Sequence, residues 1–471
     1  MSEMQFSKDL KATPTTIEGL VVYDVPVHGD SRGWFKENWQ REKMIGAGLP
    51  DFDPVQNNIS FNASAGVTRG LHAEPWDKFI SIGSGRVFGA WCDIREGSKT
   101  YGKTFTVELD PSMAIFVPRG VANGYQALED NTVYTYLVND HWSPDAQYSA
   151  VSIYDETLGI DWPIALSSAE VSDKDKGHPV LADAAAMTPR KVLITGATGQ
   201  VGQEFQRLFP DADCVDRDTL DISSPEVFTA RRWKDYSLIL NAAAYTAVDA
   251  AETAEGRVEA WKANSAAVAN LAHIATENNL TLVHISTDYV FDGTQIHTEE
   301  ESFSPLSVYG QSKAAGDIAA SLVPRHYILR TSWVIGRGHN FVRTMNGLAG
   351  RGVKPSVVND QVGRLTFTED LARAAKHLID TDSQYGTYNL SNEGDSVSWA
   401  DIAKIVYEKS GHSAKDVTGV TTEQYYAGKE GIAPRPLQST LSLDKIKATG
   451  FTPRDWRQAL DIYWEELLKE A

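Results

Sequence analysis

Apolar positions change rhythm partway along the chain. Up to about residue 165 they come in short runs separated by Gly, Pro and Asn, predicting strands at 78–82, 86–91, 104–109, 114–117 and 132–138. No long amphipathic pattern interrupts them, so this part reads as an all-β sandwich or barrel. Residues 165–189 are polar and then Ala-rich, without strand periodicity, and read as a domain tail followed by a linker. Beyond residue 190, strand-like runs at 191–195, 238–241, 281–286 and 326–330 alternate with helical patterns at 257–277 and 312–321. That alternation predicts an α/β domain with a doubly wound parallel sheet. The expected domains are 1–185 and 189–471.

Composition agrees with two folded domains. The chain has 471 residues, more than one ordinary core, and 42% of them are apolar. Its net charge of −19 argues against nucleic acid or an anionic membrane as partner. The two cysteines, Cys92 and Cys214, fall in different predicted domains, which excludes a disulfide framework and fits a reducing cytoplasm. No run reaches the roughly 18 apolar residues of a membrane span, and the first ten residues lack the apolar centre of a secretion signal. A soluble cytoplasmic protein is expected.

The second half carries two chemical motifs. Gly196, Gly199 and Gly202 follow a predicted strand and open a helix, in the segment LITGATGQVG. Such a turn lets backbone N–H groups at a helix start meet a dinucleotide's pyrophosphate. Tyr309 and Lys313 stand one helical turn apart, so both share a face, where an ammonium lowers the neighbouring phenol's pKa. Such a tyrosine can protonate a carbonyl oxygen as hydride arrives, and Thr287, at a strand end, can hydrogen-bond the same oxygen. After the second strand come Asp216 and Arg217. An Asp suits a free ribose 2′-hydroxyl and an Arg a 2′-phosphate, so NADPH is the expected cofactor and NADH the alternative.

These segments, with NAAAYTAVD, HISTDYVFDG, SVYGQSK, LRTSWVIG, NDQVG, YNLSNEG and APRP in order, resemble the dTDP-4-dehydrorhamnose reductase family of extended short-chain dehydrogenases over about 190–467. The resemblance implies a Rossmann fold with a small substrate-binding subdomain. It implies catalysis by Thr287, Tyr309 and Lys313, and a cofactor held by Gly196, Thr198, Gly199, Gln200, Val201, Gly202, Asp216, Arg217, Asp221, Ala242 and Ala243. Trp333 and Asn340 would lie near the sugar, and Arg435 would face the nucleotide diphosphate. Leu365 and Asp317 stand where that family usually has Pro and Glu.

In the first half, His72, Lys78, Tyr136 and Asp155 are single polar residues whose types suit epimerisation beside a ketone. A His takes a proton near neutral pH, an Asp fixes its tautomer, a Lys stabilises an enolate oxygen, and a Tyr returns the proton. The segments DSRGWFKE, QNNISFNASAGVTRGLH, WDKFISIGSGRV, CDIREGS, FVPRGVANGY and YDETLGIDWP resemble the dTDP-4-dehydrorhamnose 3,5-epimerases, enzymes with a cupin-like jelly roll. The resemblance implies His72 as base, Asp155 as its partner, Lys78 as enolate stabiliser and Tyr136 as acid. Arg32, Glu37, Gln56, Asn58, Arg69 and Asn123 would contact the nucleotide sugar. Two departures stand out: the His72–Lys78 interval is short, and Asn123 replaces a His. His72 lacks a nearby HxH companion, so no metal is expected.

Together the resemblances imply a bifunctional enzyme that epimerises dTDP-4-dehydro-6-deoxy-D-glucose at C3 and C5 and then reduces its C4 ketone. The rivals are a UDP-linked or single-carbon version of the same chemistry, and a sensor that retains both folds without turnover. A homodimer paired through the epimerase domain is expected.

Overall fold

The computed structural model describes residues 6–470. The chain divides into two compact units, one ending at Arg190 and the next beginning at Lys191.

The first unit is built on two largely antiparallel six-stranded sheets. One runs in the order Lys11–Pro14, Val21–Asp24, Met113–Val117, Lys78–Ser84, Thr132–Val138, Gln56–Asn62. The other runs Ser149–Ala150, Val67–Ala73, Val121–Ala127, Val87–Asp93, Thr104–Leu109, with Glu170–Val171 added in parallel to Val67–Ala73. Alternate side chains of both sheets, among them Ile80, Ile82, Trp91, Leu109, Ile115 and Tyr134, meet in one core, as the period of two in a jelly roll requires.

Residues 165–189 are not a linker. Glu170 and Val171 take register against Val67 and Thr68, and Asp173–Lys176 form a helical turn. Met187 is 1% exposed and packs with Leu71, Cys92 and Val151. This docking rests on a two-residue strand and single apolar anchors, so it leaves no periodicity to read.

The second unit has six parallel strands in the order Asp213–Val215, Lys191–Thr195, Tyr236–Asn241, Thr281–Thr287, His326–Thr331, Gly386–Asn389. Adjacent residues of one strand serve opposite faces. Leu193 packs with Leu271 and Ile274 of the Ala267–Asn278 helix, whereas Ile194 packs with Phe205, Leu371 and Leu378. Helices therefore cover both faces, which is why these strands read as unbroken apolar runs. The order reverses at Lys191–Thr195, and the glycine loop leaves that strand's C-terminal end, where ligands of such sheets bind. A separate core formed by Val342, Ile402, Val406, Trp456 and Leu460 makes a smaller subdomain.

The single helix predicted at 257–277 is interrupted. Ala254–Trp261 and Ala267–Asn278 are joined by a π-helical turn at Lys262–Ala266. The turn holds the buried Asn264, whose amide accepts from Tyr245 N (2.9 Å) and donates to Tyr245 O (3.1 Å) and Ser312 Oγ (3.0 Å). Three bonds to other segments stabilise what the helix's own period would not select. No described helix is long and apolar enough to cross a membrane.

Candidate active sites

In the first unit a cavity of about 150 Å³ is lined by Arg69, His72, Glu74, Lys78, Asn123 and Tyr136, with Ser60, Tyr125 and Tyr134. Strand register assembles it: Asn123 lies opposite His72, and Tyr136 lies opposite both Asn58 and Ile80. The strands carrying His72 and Asn123 come very close, since a Cβ on Gly70 would stand 2.5 Å from Gly124 Cα. Lys78 is 4% exposed, and its ammonium donates to Glu74 and to the Asn123 side-chain oxygen. Asn123 therefore anchors the lysine. Burial, and then the charge of Glu74, push the Tyr136 phenol above its usual pKa, so it keeps its proton.

His72 does not pair with Asp155. The Asp155 carboxylate caps the Glu156–Leu158 turn, accepting from Thr157 N (3.0 Å) and Thr157 Oγ1 (2.6 Å), and its other oxygen accepts from Leu181 N (2.7 Å). The partner is Asp175, whose Oδ1 lies 3.0 Å from His72 Nε2 while Oδ2 accepts from Gly70 N at 3.1 Å. Although burial opposes it, hydrogen bonds from His72 and Gly70 draw the Asp175 carboxyl down to about 2. A carboxylate only accepts, so His72 Nε2 carries the proton and Nδ1 is left basic. Asp175 was missed because 103 positions separate it from His72. Its one local signal, Ser172 accepting from Asp175 N at 3.1 Å, reads only as a helix cap.

Of the six expected contacts only Arg69 and Asn123 line this cavity; Arg32, Glu37, Gln56 and Asn58 lie outside its lining. Arg32 is paired to Asp30 in an exposed hairpin at 2.5 Å, its side chain 87% exposed, and Glu37 is paired to Lys43 at 2.7 Å. Within the chain both are held by near neighbours in sequence. Gln56 and Asn58 share the strand face of Ser60 and bond each other at 2.7 Å.

In the second unit a cavity of about 320 Å³ runs past Gly196, Thr198 and Gly199 to Asp216, Arg217 and Asp221, with Ala242 and Ala243 on its wall. Gly196 has φ +63°, and a Cβ there would stand 2.6 Å from Ala243 N. A Cβ on Gly202 would stand 2.2 Å from Gly196 O, so this junction excludes larger residues. Gly199 caps the Gln200–Leu208 helix, whose first-turn N–H groups, from Gln200 to Gly202, have no carbonyl within the helix to meet. Their side chains serve packing: Val201 joins the core, and Gln200 donates to His339 O at 3.1 Å. Asp216 turns its carboxylate back onto Asp218 N and Thr219 N, both at 3.1 Å, while Arg217 pairs with Glu259 at 3.1 Å. The glycine cradle fits a dinucleotide, and the exposed Arg217 fits a 2′-phosphate better than the self-capped Asp216 fits a hydroxyl.

Tyr309 and Lys313 stand on the Val308–Ser321 helix, which is capped by Ser307 and packed beneath Thr287 at a strand end. The expected lowering of the phenol pKa is not found. Lys313 donates to Ile285 O at 2.6 Å, burial holds its ammonium down to about 8, and burial pushes Tyr309 up despite a hydrogen bond with Thr287. The phenol therefore carries its proton at neutral pH, as a proton donor must. The Tyr289 ring meets Tyr309 edge-on at 5.5 Å. Arg435 bonds Asp249 at 2.8 Å and lies over Tyr426 at 5.0 Å. Trp333, at φ +48°, stacks on Trp399 at 3.8 Å. Asn340 is not free for a sugar. It caps the Phe341–Gly350 helix through Arg343 N (3.0 Å), and its NH₂ donates to Gly336 O (2.7 Å) and Tyr463 OH (2.8 Å).

Comparison with known proteins separates the two halves in the same way. Residues 14–183 match the family described as dTDP-4-dehydrorhamnose 3,5-epimerase, and residues 190–469 match the RmlD substrate binding domain. A protein RmlC homolog of Streptococcus pyogenes is 48% identical over 198 residues, spanning 40% of this chain and 99% of its own. A dTDP-4-dehydrorhamnose reductase of Aggregatibacter actinomycetemcomitans is 37% identical over 291 residues, spanning 57% of this chain and 97% of its own. The crystal structure of dTDP-4-dehydrorhamnose reductase from Bacillus anthracis in complex with NADP aligns with a TM-score of 0.54 at 33% identity, over 59% of this chain and 99% of that one. The chain thus belongs to the dTDP-4-dehydrorhamnose 3,5-epimerase family through its first unit and to the RmlD substrate binding domain family through its second.

Proposed function

We propose that the chain is a bifunctional enzyme of dTDP-L-rhamnose synthesis. Its first unit inverts C3 and C5 of dTDP-4-dehydro-6-deoxy-D-glucose, and its second reduces the C4 ketone with NADPH. The observation that carries this reading is the pairing, in one chain, of a His72–Asp175 base in the cavity of Lys78 with a second unit that holds both a Tyr309–Thr287–Lys313 set and a dinucleotide cradle.

In the first unit His72 Nδ1 takes the proton from a carbon next to the ketone, and Asp175 stabilises the imidazolium that forms. The C–H electron pair moves to the C4 oxygen, where the buried Lys78 ammonium stabilises the enolate. Tyr136 returns a proton to the opposite face, and the same steps serve the second carbon flanking that ketone. In the second unit bound NADPH supplies hydride to C4. Thr287 holds the ketone oxygen, Tyr309 protonates it, and Lys313 stabilises the phenolate left behind. Arg217 is our choice for the 2′-phosphate, and Arg435 for the nucleotide diphosphate.

We also propose a homodimer paired through the epimerase unit, supported by the exposed Ile59 (68%) and Phe61 (58%) on the edge strand Gln56–Asn62. A reducing cytoplasm suits its two unpaired cysteines.

The test supplies the full chain with dTDP-4-dehydro-6-deoxyglucose and NADPH in deuterated water. Cofactor oxidation and deuterium at both C3 and C5 are expected. Absence of oxidation overturns the bifunctional reading, and label at C3 alone reduces the first unit to a single-carbon epimerase. Preferential turnover of the UDP-linked sugar overturns the nucleotide assignment.

A further inference from the structure

We propose that His72, Asp175 and His178 form a binding site for a late divalent transition metal, and that its occupation switches the epimerase unit off. His178 follows the Asp173–Lys176 turn, and its side chain is only 9% exposed. Its ring meets that of His72 edge-on, with centroids 5.2 Å apart and planes at 80°. Its Nε2 lies 3.8 Å from Asp175 Oδ1, the same oxygen that stands 3.0 Å from His72 Nε2. One carboxylate oxygen thus faces two imidazoles, and one donor atom from each of the three residues lies within 4.8 Å of the others.

The donor set points to the ion. Two imidazole nitrogens and one carboxylate suit zinc, cobalt or nickel, whereas magnesium and calcium take oxygen ligands. A tetrahedral ion with bonds of about 2.0–2.1 Å spaces its donors roughly 3.3 Å apart. The separations of 3.0 and 3.8 Å straddle that value. The Gly70 N–H bond to Asp175 Oδ2, at 3.1 Å, fixes the carboxylate as an outer-shell partner fixes a ligand.

The His178 ring has a backbone hydrogen bond with Gly70 and one nitrogen left over. Its Nδ1 is buried with no hydrogen-bond partner among the described residues. At 3.8 Å its Nε2 is too far from Asp175 for a good hydrogen bond. Burial and the neighbouring His72 hold the ring to its uncharged form, the one that ligates. The His72 side chain, 36% exposed, is the most open of the three, so a vacant coordination position would face the cavity.

Binding would take the Nε2 lone pair, so the one proton of the neutral His72 ring moves from Nε2 to Nδ1. Nδ1 is the nitrogen that must accept the substrate proton, so a metal-held His72 cannot act as base. That consequence rests on the reading of His72 as the base; the metal site itself does not.

The experiment uses the full chain stripped with a chelator. Titration with Co²⁺, followed by its visible absorption, and with Zn²⁺, followed by calorimetry, should show one site per chain that His178→Gln weakens at least tenfold. Solvent-deuterium exchange at C3 should stop with Zn²⁺ and return on chelation, while reduction of pre-epimerised substrate continues. Absence of binding, or equal binding by His178→Gln, overturns the site. Binding through His178 with exchange undiminished overturns the switch. A chain that exchanges nothing even without metal fails as an epimerase, and the Co²⁺ titration still decides the site.

Discussion

Asp175 concentrates much of the first unit's chemistry in one carboxylate, and its neighbours explain why it stays charged. It accepts from His72 and from Gly70 N, both near 3 Å, in a setting that is only 4% exposed. Asp175→Asn should lower solvent exchange at C3 and C5 by about 100-fold or more, read by NMR. Asp155→Asn should leave exchange within a few-fold and loosen the Glu156–Leu158 turn instead, seen as a lower unfolding temperature. Equal loss in both variants would return Asp155 to the base. Because the folded pKa of Asp175 lies below its ordinary value, its contribution to stability is present above about pH 4 and is lost as pH falls through about 2. Acid unfolding between those limits should therefore cost the parent chain about 2 kcal/mol more than Asp175→Asn. In the second unit the proton rests on Tyr309, and Tyr309→Phe should cut ketone reduction by about 100- to 10,000-fold while exchange at C3 continues.

Among the elements, the strand–loop–helix at Lys191–Leu208 depends on contacts that no side chain could survive. The Cβ of Gly202→Ala would stand 2.2 Å from the Gly196 carbonyl, a backbone atom that cannot rotate away. The helix start must shift, at a cost of about 1–3 kcal/mol, and with it the amides offered to a pyrophosphate. The KM for NADPH should rise at least about tenfold in Gly202→Ala, and epimerisation should be unaffected. Both the glycine spacing and the Tyr309/Lys313 turn were legible because they lie within one turn or one helix, where chain geometry alone sets which groups meet. The π turn at Lys262–Ala266 was not legible. It exists because Asn264 bonds Tyr245 and Ser312, 19 and 48 positions away. The lowered phenol pKa failed for a related reason: helical spacing puts Lys313 on Tyr309's face, but burial, opposed for Lys313 by the charge of Asp317, sets their protonation.

For the molecule as a whole, the first unit presents Ile59 and Phe61, both exposed, on one face of an edge strand. Ile59→Lys combined with Phe61→Lys should halve the mass found by light scattering if this face pairs two chains; an unchanged mass would place the interface elsewhere. The sequence by itself determined two domains of different class, a β half and a parallel α/β half, because strand and helix periods are local properties of the backbone. It also determined the glycine cradle and the chemical kinds of residue available: His72, Lys78, Tyr136, Thr287, Tyr309 and Lys313. Only the tertiary structure decided which of them meet. Strand pairing sets His72 against Asn123, and a short turn far along the chain brings Asp175 and His178 to the same imidazole. It also withdrew Asp155 and Asn340 into helix caps and left Arg32 and Glu37 in local ion pairs. A carboxylate or amide can cap its own turn or serve a distant site, and the surrounding packing selects between the two.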